Sequence, residues 1–234
     1  MATRDAIAAR AKLTAELKTR YPTLNVLPES PFLLRVHTLI RDANASRPDF
    51  LFYADQLIRT LIEFAFETVP YQEKPVVTPT NYVFNGLELT KPIAGVSVMR
   101  AGEAMEMALR STIRDVKIGK ILIQRDESSP NKTAKLFYSK LPENLNRYTV
   151  MLLDPMLASG SSASLAIQVL LDTGVKEEDI IFVNLIAAPE GIHNLYAKYP
   201  NIQIVTTMID NCLNEEKYIL PGIGDFGDRY FGTD

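Results

Sequence analysis

Residues 151–174 read MLLDPMLASGSSASLAIQVLLDTG and combine three kinds of sequence in succession. An apolar run ends at Asp154, small and hydroxylated residues follow, and apolar residues at helical spacing then begin. This order is typical of a buried strand, a loop and a helix. Small side chains let a ligand approach the backbone, and free amides at a helix start bind phosphate. The stretch therefore predicts a phosphate-binding loop preceded by a strand-end carboxylate.

The same alternation of strand and helix extends through most of the chain. Apolar runs predict strands at 93–98, 120–124, 149–153, 180–186 and 202–206, and the pieces between them predict helices at 102–113, 161–172 and 189–198. Strands that are apolar on both faces and joined by helices favour a parallel sheet covered on both sides. We therefore expect an α/β fold in which ligands bind beyond the carboxyl ends of the strands.

The segment before this alternation contains a helix and a small β structure. Residues 49–68 repeat apolar positions at helical spacing, and we expect the helix to begin at Asp49. Residues 71–89 break into pieces rich in Pro and Val, and Asn85-Gly86 is a hairpin turn signal. This segment therefore predicts a small β flap.

Length and composition describe one ordinary globular domain. The chain has 234 residues, of which 1–30 carry little information, so we expect an N-terminal extension followed by a single domain over 31–234. Its 25 basic and 28 acidic residues give a net charge of −3, which disfavours nucleic-acid binding. A single cysteine excludes an internal disulfide. No apolar run has the length of a membrane span, and we expect a cytoplasmic protein without a membrane partner.

Two arginines stand just after predicted strands. Arg100 precedes a predicted helix, where a cation opposes the helix dipole and needs an anion nearby. Glu103, one turn further on, and a bound phosphate or pyrophosphate both satisfy that need. Arg125 is followed by a long polar segment without clear periodicity, which is typical of a lid or binding loop. A purely solvated excursion is the alternative for residues 128–134.

The phosphate loop and the C-terminal segment together resemble one enzyme family. The loop matches neither G-x-x-x-x-G-K-[ST] nor G-x-G-x-x-G, and it resembles the loop of phosphoribosyltransferases, which use 5-phosphoribosyl-1-pyrophosphate (PRPP). These loops usually carry two adjacent acidic residues, whereas Pro155 replaces the second here, as in uracil phosphoribosyltransferases. NCLNEEKYILPGIGDFGDRYFGT at 211–233 resembles the uracil-binding segment of that family. RAG at 100–102, AAPEGI at 187–192 and LNE at 213–215 fit the same pattern.

The resemblance, which covers roughly residues 30–234, implies a fold and an activity. The fold is the type I phosphoribosyltransferase-like parallel sheet flanked by helices, with the flap at 71–89 as a small hood and the uracil-binding segment at 213–233. The activity is transfer of the 5-phosphoribosyl group from PRPP to N1 of uracil, giving UMP and pyrophosphate. Mg²⁺ accompanies PRPP and is held mainly by substrate oxygens and water, so no protein metal ligand is assigned. Homodimers or homotetramers are common in the family, and some members are activated by GTP.

The same resemblance, carried over residue by residue, implies three overlapping groups of site residues. Arg100, Arg125 and Asp225 are implied to act in catalysis. PRPP binding is implied for Arg100, Arg125, Asp154, Pro155, Met156, Leu157, Ala158, Ser159, Gly160, Ser161, Ser162 and Asp225. Uracil binding, largely through backbone groups, is implied for Ile219, Gly224, Asp225 and Phe226. His37 and His193 lie in no matching motif, and no general base is assigned.

Two other functions remain alternatives. A catalytically inactive PRPP-binding regulatory homologue would be expected to lose base-contacting residues, yet the GIGDFGD segment is intact. A transferase of the same fold that acts on orotate or a purine would keep the paired acidic residues and lack the C-terminal Gly-Asp turns. Both features of this sequence favour uracil as the base.

Overall fold

The computed structural model describes residues 2–125 and 134–233 of the chain. Its helices are α1 (Ala2–Arg20), α2 (Pro31–Arg41), α3 (Arg47–Ala65), α4 (Glu106–Thr112), α5 (Ser161–Asp172), α6 (Pro189–Lys198) and α7 (Phe226–Phe231). Its strands are β1 (Leu24–Val26), β2 (Tyr71–Val77), β3 (Val83–Leu89), β4 (Ile93–Val98), β5 (Lys117–Arg125), β6 (Ala134–Lys140), β7 (Thr149–Leu153), β8 (Met156–Leu157), β9 (Ile180–Ala187), β10 (Gln203–Ile209), β11 (Cys212–Leu213) and β12 (Ile219–Leu220).

A mostly parallel sheet forms the centre of the fold, in the order β1-β10-β9-β7-β4-β5-β6. Its pairings are parallel except for β6, which runs antiparallel to β5 at one edge. Every residue of β4, β7 and β9 is buried, because these strands lie in the middle of the sheet with helices on both faces. The predicted α/β fold and its five predicted strands are confirmed.

Two apolar cores lie on opposite faces of the sheet. One core packs α1, α5 and α6 against it through residues such as Leu17, Ile167 and Leu195. The other packs α2, α3, α4 and α7 against it through residues such as Leu57 and Phe226. The strand ends between these layers are left open at the carboxyl edge, and this opening positions the site.

Local signals misplaced one helix start and did not reveal seven elements. α3 begins at Arg47, because Ser46 is its N-cap and accepts a hydrogen bond from the amide of Asp49 (3.3 Å), so the predicted start at Asp49 is wrong. The sequence analysis predicts none of α2, β1, β6 and α7, nor the two-residue strands β8, β11 and β12. β1 pairs with β10, so the segment that we assigned to an N-terminal extension adds an edge strand to the sheet.

The predicted flap is a long antiparallel hairpin of β2 and β3. The turn that we expected at Asn85-Gly86 is wrong, because both residues lie within β3 and pair with β2. The chain reverses at residues 78–82, where the amide of Thr78 donates to the carbonyl of Tyr82 (2.8 Å). Asn81 adopts the left-handed conformation with φ of 62°, which asparagine tolerates, so the turn forms there.

Candidate active site

A cavity of about 360 Å³ opens at the carboxyl ends of β4, β5 and β7. The C-terminal segment that includes Gly224 and Asp225 also lines it. Residues that we had singled out and that line it are Arg100, Asp154, Met156, Ala158, Ser162, Ile219, Gly224, Asp225 and Phe226. The fold thus brings the strand-end arginine, the phosphate loop and the C-terminal segment into one cavity, although these segments are far apart in sequence.

The phosphate loop leads into the uncapped N-terminus of α5. Gly160 has a φ of 80°, a conformation that favours glycine, and its carbonyl accepts the amide of Ser164 (2.8 Å) to begin the helix. No side chain caps this end, so its first-turn amides remain available to an anion. Ser162 lines the cavity, whereas Ser159 and Ser161, whose hydroxyls lie 3.1 Å apart, are not among its lining residues.

Three loop residues in the predicted set are buried in the packing of the fold. Pro155, Leu157 and Gly160 are buried and do not line the cavity. The carbonyl of Pro155 accepts the amides of Leu185 and Ile186 (2.8 and 3.1 Å), so this residue ties the loop to β9. The side chains that face the cavity alternate with these buried ones, as they do along an extended chain.

Asp154 directly follows β7 and lines the cavity. Burial raises the pKa of its carboxyl group to about 7, and the nearby Asp225 carboxylate raises it further, whereas a hydrogen bond from the amide of Met156 lowers it. A carboxyl group with this pKa exchanges its proton near neutral pH. It can therefore either donate to or accept from a polar ligand group in the cavity.

Arg100 sits in a backbone conformation that is rare for a residue with a side chain, with φ of 62° and ψ of −86°. Its Nη2 donates to Oδ1 of Asp228 (2.6 Å) and to the hydroxyl of Thr233 (2.8 Å). Glu103, which we considered as its partner, pairs with Lys120. Arg125 is the last residue of β5, and its side chain lies outside the described part of the structure, as does the expected lid at residues 126–133.

A tight turn presents the C-terminal segment to the cavity. Asp225 is the N-cap of α7 and accepts the amide of Asp228 (2.9 Å). Gly222 and Gly224 have φ of 62° and 76°, and a Cβ at Gly222 would lie 2.1 Å from the carbonyl oxygen of Ile219. Only glycine fits this turn without displacing the backbone.

The residues that hold this turn were not predicted from the sequence. Asp210 is 2% exposed and accepts both Nη atoms of Arg41 (2.7 and 2.9 Å) and the amide of Gly222 (2.9 Å). Arg229 donates to the carbonyl of Ile223 (2.8 Å). Arg41 and Asp210 are 169 positions apart, and neither lies in a motif, so no local signal could have paired them.

Some residues that line the cavity were given no role in the sequence analysis. Lys217 and Tyr218 lie within the predicted uracil-binding segment at 213–233 but were not assigned as site residues, and Leu122, Ile123 and Gln124 contribute from β5. The resemblance of this segment to the family indicates no individual role for the lysine. Lys217 adds a positive charge at the cavity wall.

Neither histidine lines the cavity. His37 is buried, its Nε2 lies 3.0 Å from the hydroxyl of Thr207, and burial lowers its pKa to about 3. His193 lies 2.7 Å from the hydroxyl of Tyr21. Within residues 2–125 and 134–233, no group of three or more His, Cys, Asp or Glu side chains could hold a metal ion. Over the same residues, no helix has the length and apolar character needed to cross a membrane.

Comparison with known proteins identifies relatives across nearly the whole chain. The family model described as uracil phosphoribosyltransferase matches residues 26–233. The uracil phosphoribosyltransferase of Dictyostelium discoideum is 48% identical over 92% of this chain and 99% of its own. The uridine/cytidine kinase UKL1, chloroplastic, of Arabidopsis thaliana is 50% identical over 92% of this chain. This chain spans 44% of the Arabidopsis protein, less than half of its length.

Solved structures share the fold. The AQ2163 protein from Aquifex aeolicus superposes with a TM-score of 0.77 at 28% identity, covering 90% of this chain and 99% of its own. An adenine phosphoribosyl transferase from Trypanosoma brucei superposes with a TM-score of 0.51 at 12% identity, covering 87% of this chain and 89% of its own. The fold predicted from the sequence is confirmed.

Proposed function

The chain belongs to the uracil phosphoribosyltransferase family, and on this premise we propose that it transfers the 5-phosphoribosyl group from PRPP to N1 of uracil. The products are UMP and pyrophosphate, which is a reaction of pyrimidine salvage. The observation that carries this proposal is the single cavity between the start of α5 and the turn at Gly224–Phe226. It brings the candidate anion site and the candidate base site together in one space.

The phosphate end of the cavity supplies groups suited to PRPP. The first-turn amides of α5 and the hydroxyl of Ser162 bind the 5′-phosphate, and Asp154 holds ribose hydroxyls. Arg100 binds the pyrophosphate. As the bond from C1 to pyrophosphate breaks, the sugar acquires oxocarbenium character and negative charge grows on the leaving group. A cation already fixed beside that group stabilises the transition state more than the ground state.

The base end of the cavity discriminates through backbone groups. A carbonyl that faces N3–H and an amide that faces O4 match uracil, whereas cytosine would place an acceptor and a donor against them. The unpaired buried groups would then reject cytosine by ~10⁴-fold. The turn is held by the Arg41–Asp210 pair, which fixes the direction of its backbone groups. Deprotonation of N1 is assigned to no histidine, since neither one lines the cavity.

Mg²⁺ is proposed as the cofactor that arrives with PRPP. Asp154 and Asp225 are the carboxylates at the cavity wall in the described part of the chain, and two carboxylates suit a cation that keeps several ligands from substrate oxygens and water. The ion would neutralise the pyrophosphate when bound. Omitting Mg²⁺ should abolish turnover, and full activity in EDTA would contradict the assignment.

The proposed activity is tested with three bases assayed separately. The purified chain, PRPP and Mg²⁺ are incubated with uracil, cytosine or orotate, and pyrophosphate release is measured. Release with uracil alone is expected. Absence of uracil-dependent release, together with retained PRPP binding by calorimetry, would favour the inactive regulatory homologue.

The role of Asp225 can be separated from its structural role. As the N-cap of α7 it accepts one amide, so Asp225→Ala removes both the cap, worth ~1 kcal/mol, and the charge. Asp225→Asn keeps a capping acceptor and removes only the charge. Both variants should abolish turnover and unfold cooperatively. Normal turnover in Asp225→Asn would show that the carboxylate has no part in the reaction.

We propose that the β2–β3 hairpin joins copies of the chain into a homodimer or homotetramer. It exposes large apolar side chains on both strands and at the turn, including Val77 (71%), Tyr82 (77%) and Leu87 (66%). Apolar surface of this kind is typical of protein interfaces. Sedimentation should show an oligomer that Leu87→Lys dissociates. A monomeric wild-type chain at micromolar concentration would contradict the proposal.

Activation by GTP and a cytoplasmic location stay predictions from the resemblance and the sequence. Initial rates with and without GTP, at PRPP concentrations below saturation, test the first. Fractionation of cells that express the tagged chain tests the second.

A further inference from the structure

Arg100 is held by the C-terminal helix through a closed triangle of hydrogen bonds. Its Nη2 donates to Oδ1 of Asp228 (2.6 Å) and to Oγ1 of Thr233 (2.8 Å), and the Thr233 hydroxyl donates to the same Oδ1 (2.9 Å). Asp228 and Thr233 do not line the cavity, whereas Arg100 does. The triangle therefore lies behind the arginine, away from the ligand space.

The triangle leaves Nε and Nη1 of the guanidinium free of hydrogen bonds to the described part of the chain. Nη2 carries two hydrogens, and its two bonds to Asp228 and Thr233 use both. Nε and Nη1 make no hydrogen bond within the part of the chain that the structure describes. These two atoms carry three further donors, which is enough for a bidentate contact with a phosphate group.

The same helix turn contacts both ends of the site. The amide of Asp228 donates to Oδ1 of Asp225 (2.9 Å), which faces the cavity. A Cβ at Gly227 would lie 3.2 Å from Nη2 of Arg100 and 3.2 Å from Oδ1 of Asp225, so the glycine lets the arginine pass close to the helix. The contact raises the pKa of Arg100 and lowers that of Asp228, mainly through their hydrogen bond, so both groups are charged at neutral pH.

We propose that Asp228, assisted by Thr233, is a positioning residue that fixes Arg100 to bind the pyrophosphate group of the substrate. The inference rests on the proposed function and assigns to Asp228 no contact with substrate. The strained backbone of Arg100 fits this role, because a residue in a rare conformation persists only where its surroundings hold it.

A competing effect would change binding in the opposite direction. Asp228 is a negative charge near an anion site, so its removal weakens electrostatic repulsion of pyrophosphate. If repulsion dominated, Asp228→Asn would bind pyrophosphate more tightly. If positioning dominates, the freed guanidinium must be ordered again on binding, and affinity falls by about three- to tenfold. The sign of the change therefore decides between the two effects.

The test is a double-mutant cycle on pyrophosphate affinity, measured by calorimetry with Mg²⁺. Asp228→Asn should weaken binding about three- to tenfold, and adding it to Arg100→Ala should change affinity less than twofold. Asp55→Asn is the matched control. The carboxylate of Asp55 accepts a hydrogen bond from the hydroxyl of Tyr230 (2.7 Å), which lies on α7 like Asp228, and makes no hydrogen bond to Arg100. It should leave pyrophosphate affinity unchanged. In steady-state kinetics Asp228→Asn should raise the KM for PRPP and leave the KM for uracil unchanged.

Three results would overturn the inference. They are unchanged or tighter pyrophosphate binding by Asp228→Asn, an equal loss in the Arg100→Ala background, and a matching loss in Asp55→Asn. Thr233→Val, which keeps the carboxylate, should give a smaller loss of the same sign. The calorimetric readout needs no turnover, so these outcomes are separate from failure of the uracil assay. A wild-type chain that binds no pyrophosphate would contradict the proposed function as well as the inference.

Discussion

Asp154→Asn should stabilise the folded chain at pH 8 while abolishing its turnover. The carboxyl group has a pKa of about 7 against an ordinary value of 3.8, chiefly because it is buried. Ionised Asp154 therefore destabilises the folded chain. Hydrogen bonds to ribose hydroxyls would offset this cost when the substrate binds. Asparagine has nearly the same shape and keeps an oxygen that can accept the amide of Met156.

The size of this stabilisation and its pH dependence follow from the raised pKa of Asp154. A difference of about 3 pKa units corresponds to about 4 kcal/mol at 1.36 kcal/mol per unit. Because the folded-state pKa is raised, the folded chain keeps a proton that the unfolded chain loses above pH 4. The free energy of unfolding therefore falls as pH rises from about 4 to about 7, and the loss is complete above pH 7.

Urea unfolding at pH 5 and pH 8 measures the effect. Asp154→Asn should exceed the wild type by about 4 kcal/mol at pH 8 and by about 2 kcal/mol at pH 5. Asp172→Asn is the control, because it removes an exposed carboxylate at the other end of α5. A variant that is no more stable than the wild type at pH 8 would refute the reasoning, as would an advantage that grows when the pH falls.

Three further substitutions test the packing around the site. Gly102→Ala would place a Cβ 2.2 Å from the carbonyl oxygen of Leu153, and urea unfolding should show a loss of about 1–3 kcal/mol; unchanged stability would contradict the close approach. Asp210→Asn leaves the mostly buried guanidinium of Arg41 without its counter-charge, and the free energy of unfolding should fall by about 3–5 kcal/mol. A loss below about 1 kcal/mol would show that water solvates the guanidinium in place of the carboxylate. Gly160→Ala forces a side chain onto a φ of 80°, which should lower the free energy of unfolding by about 1–2 kcal/mol. The variant should also bind inorganic phosphate more weakly in calorimetry, and unchanged phosphate affinity would show that the loop is not part of the anion site.

The sequence located the strand ends well because the signals there are local. The apolar run that ends at Asp154 and the helical spacing after Ser161 each depend on neighbours within a few positions. The turn signal predicted the position of the hairpin turn wrongly. Asn85-Gly86 is typical of a turn, but both residues lie within β3. The pairing of β2 with β3 overrides the local preference, because seven residue pairs align only when the chain reverses at residues 78–82.

By itself, the sequence determined the α/β architecture, the phosphate loop and the C-terminal segment that identifies the family. Only the tertiary structure decided which partner each charged group meets. Arg100 bonds to Asp228, which is 128 positions away, while nearby Glu103 pairs with Lys120. The order of the strands and the docking of α7 set these pairings. Helical spacing can place a carboxylate one turn from a cation, but packing of the whole chain determines which carboxylate lies within hydrogen-bond distance.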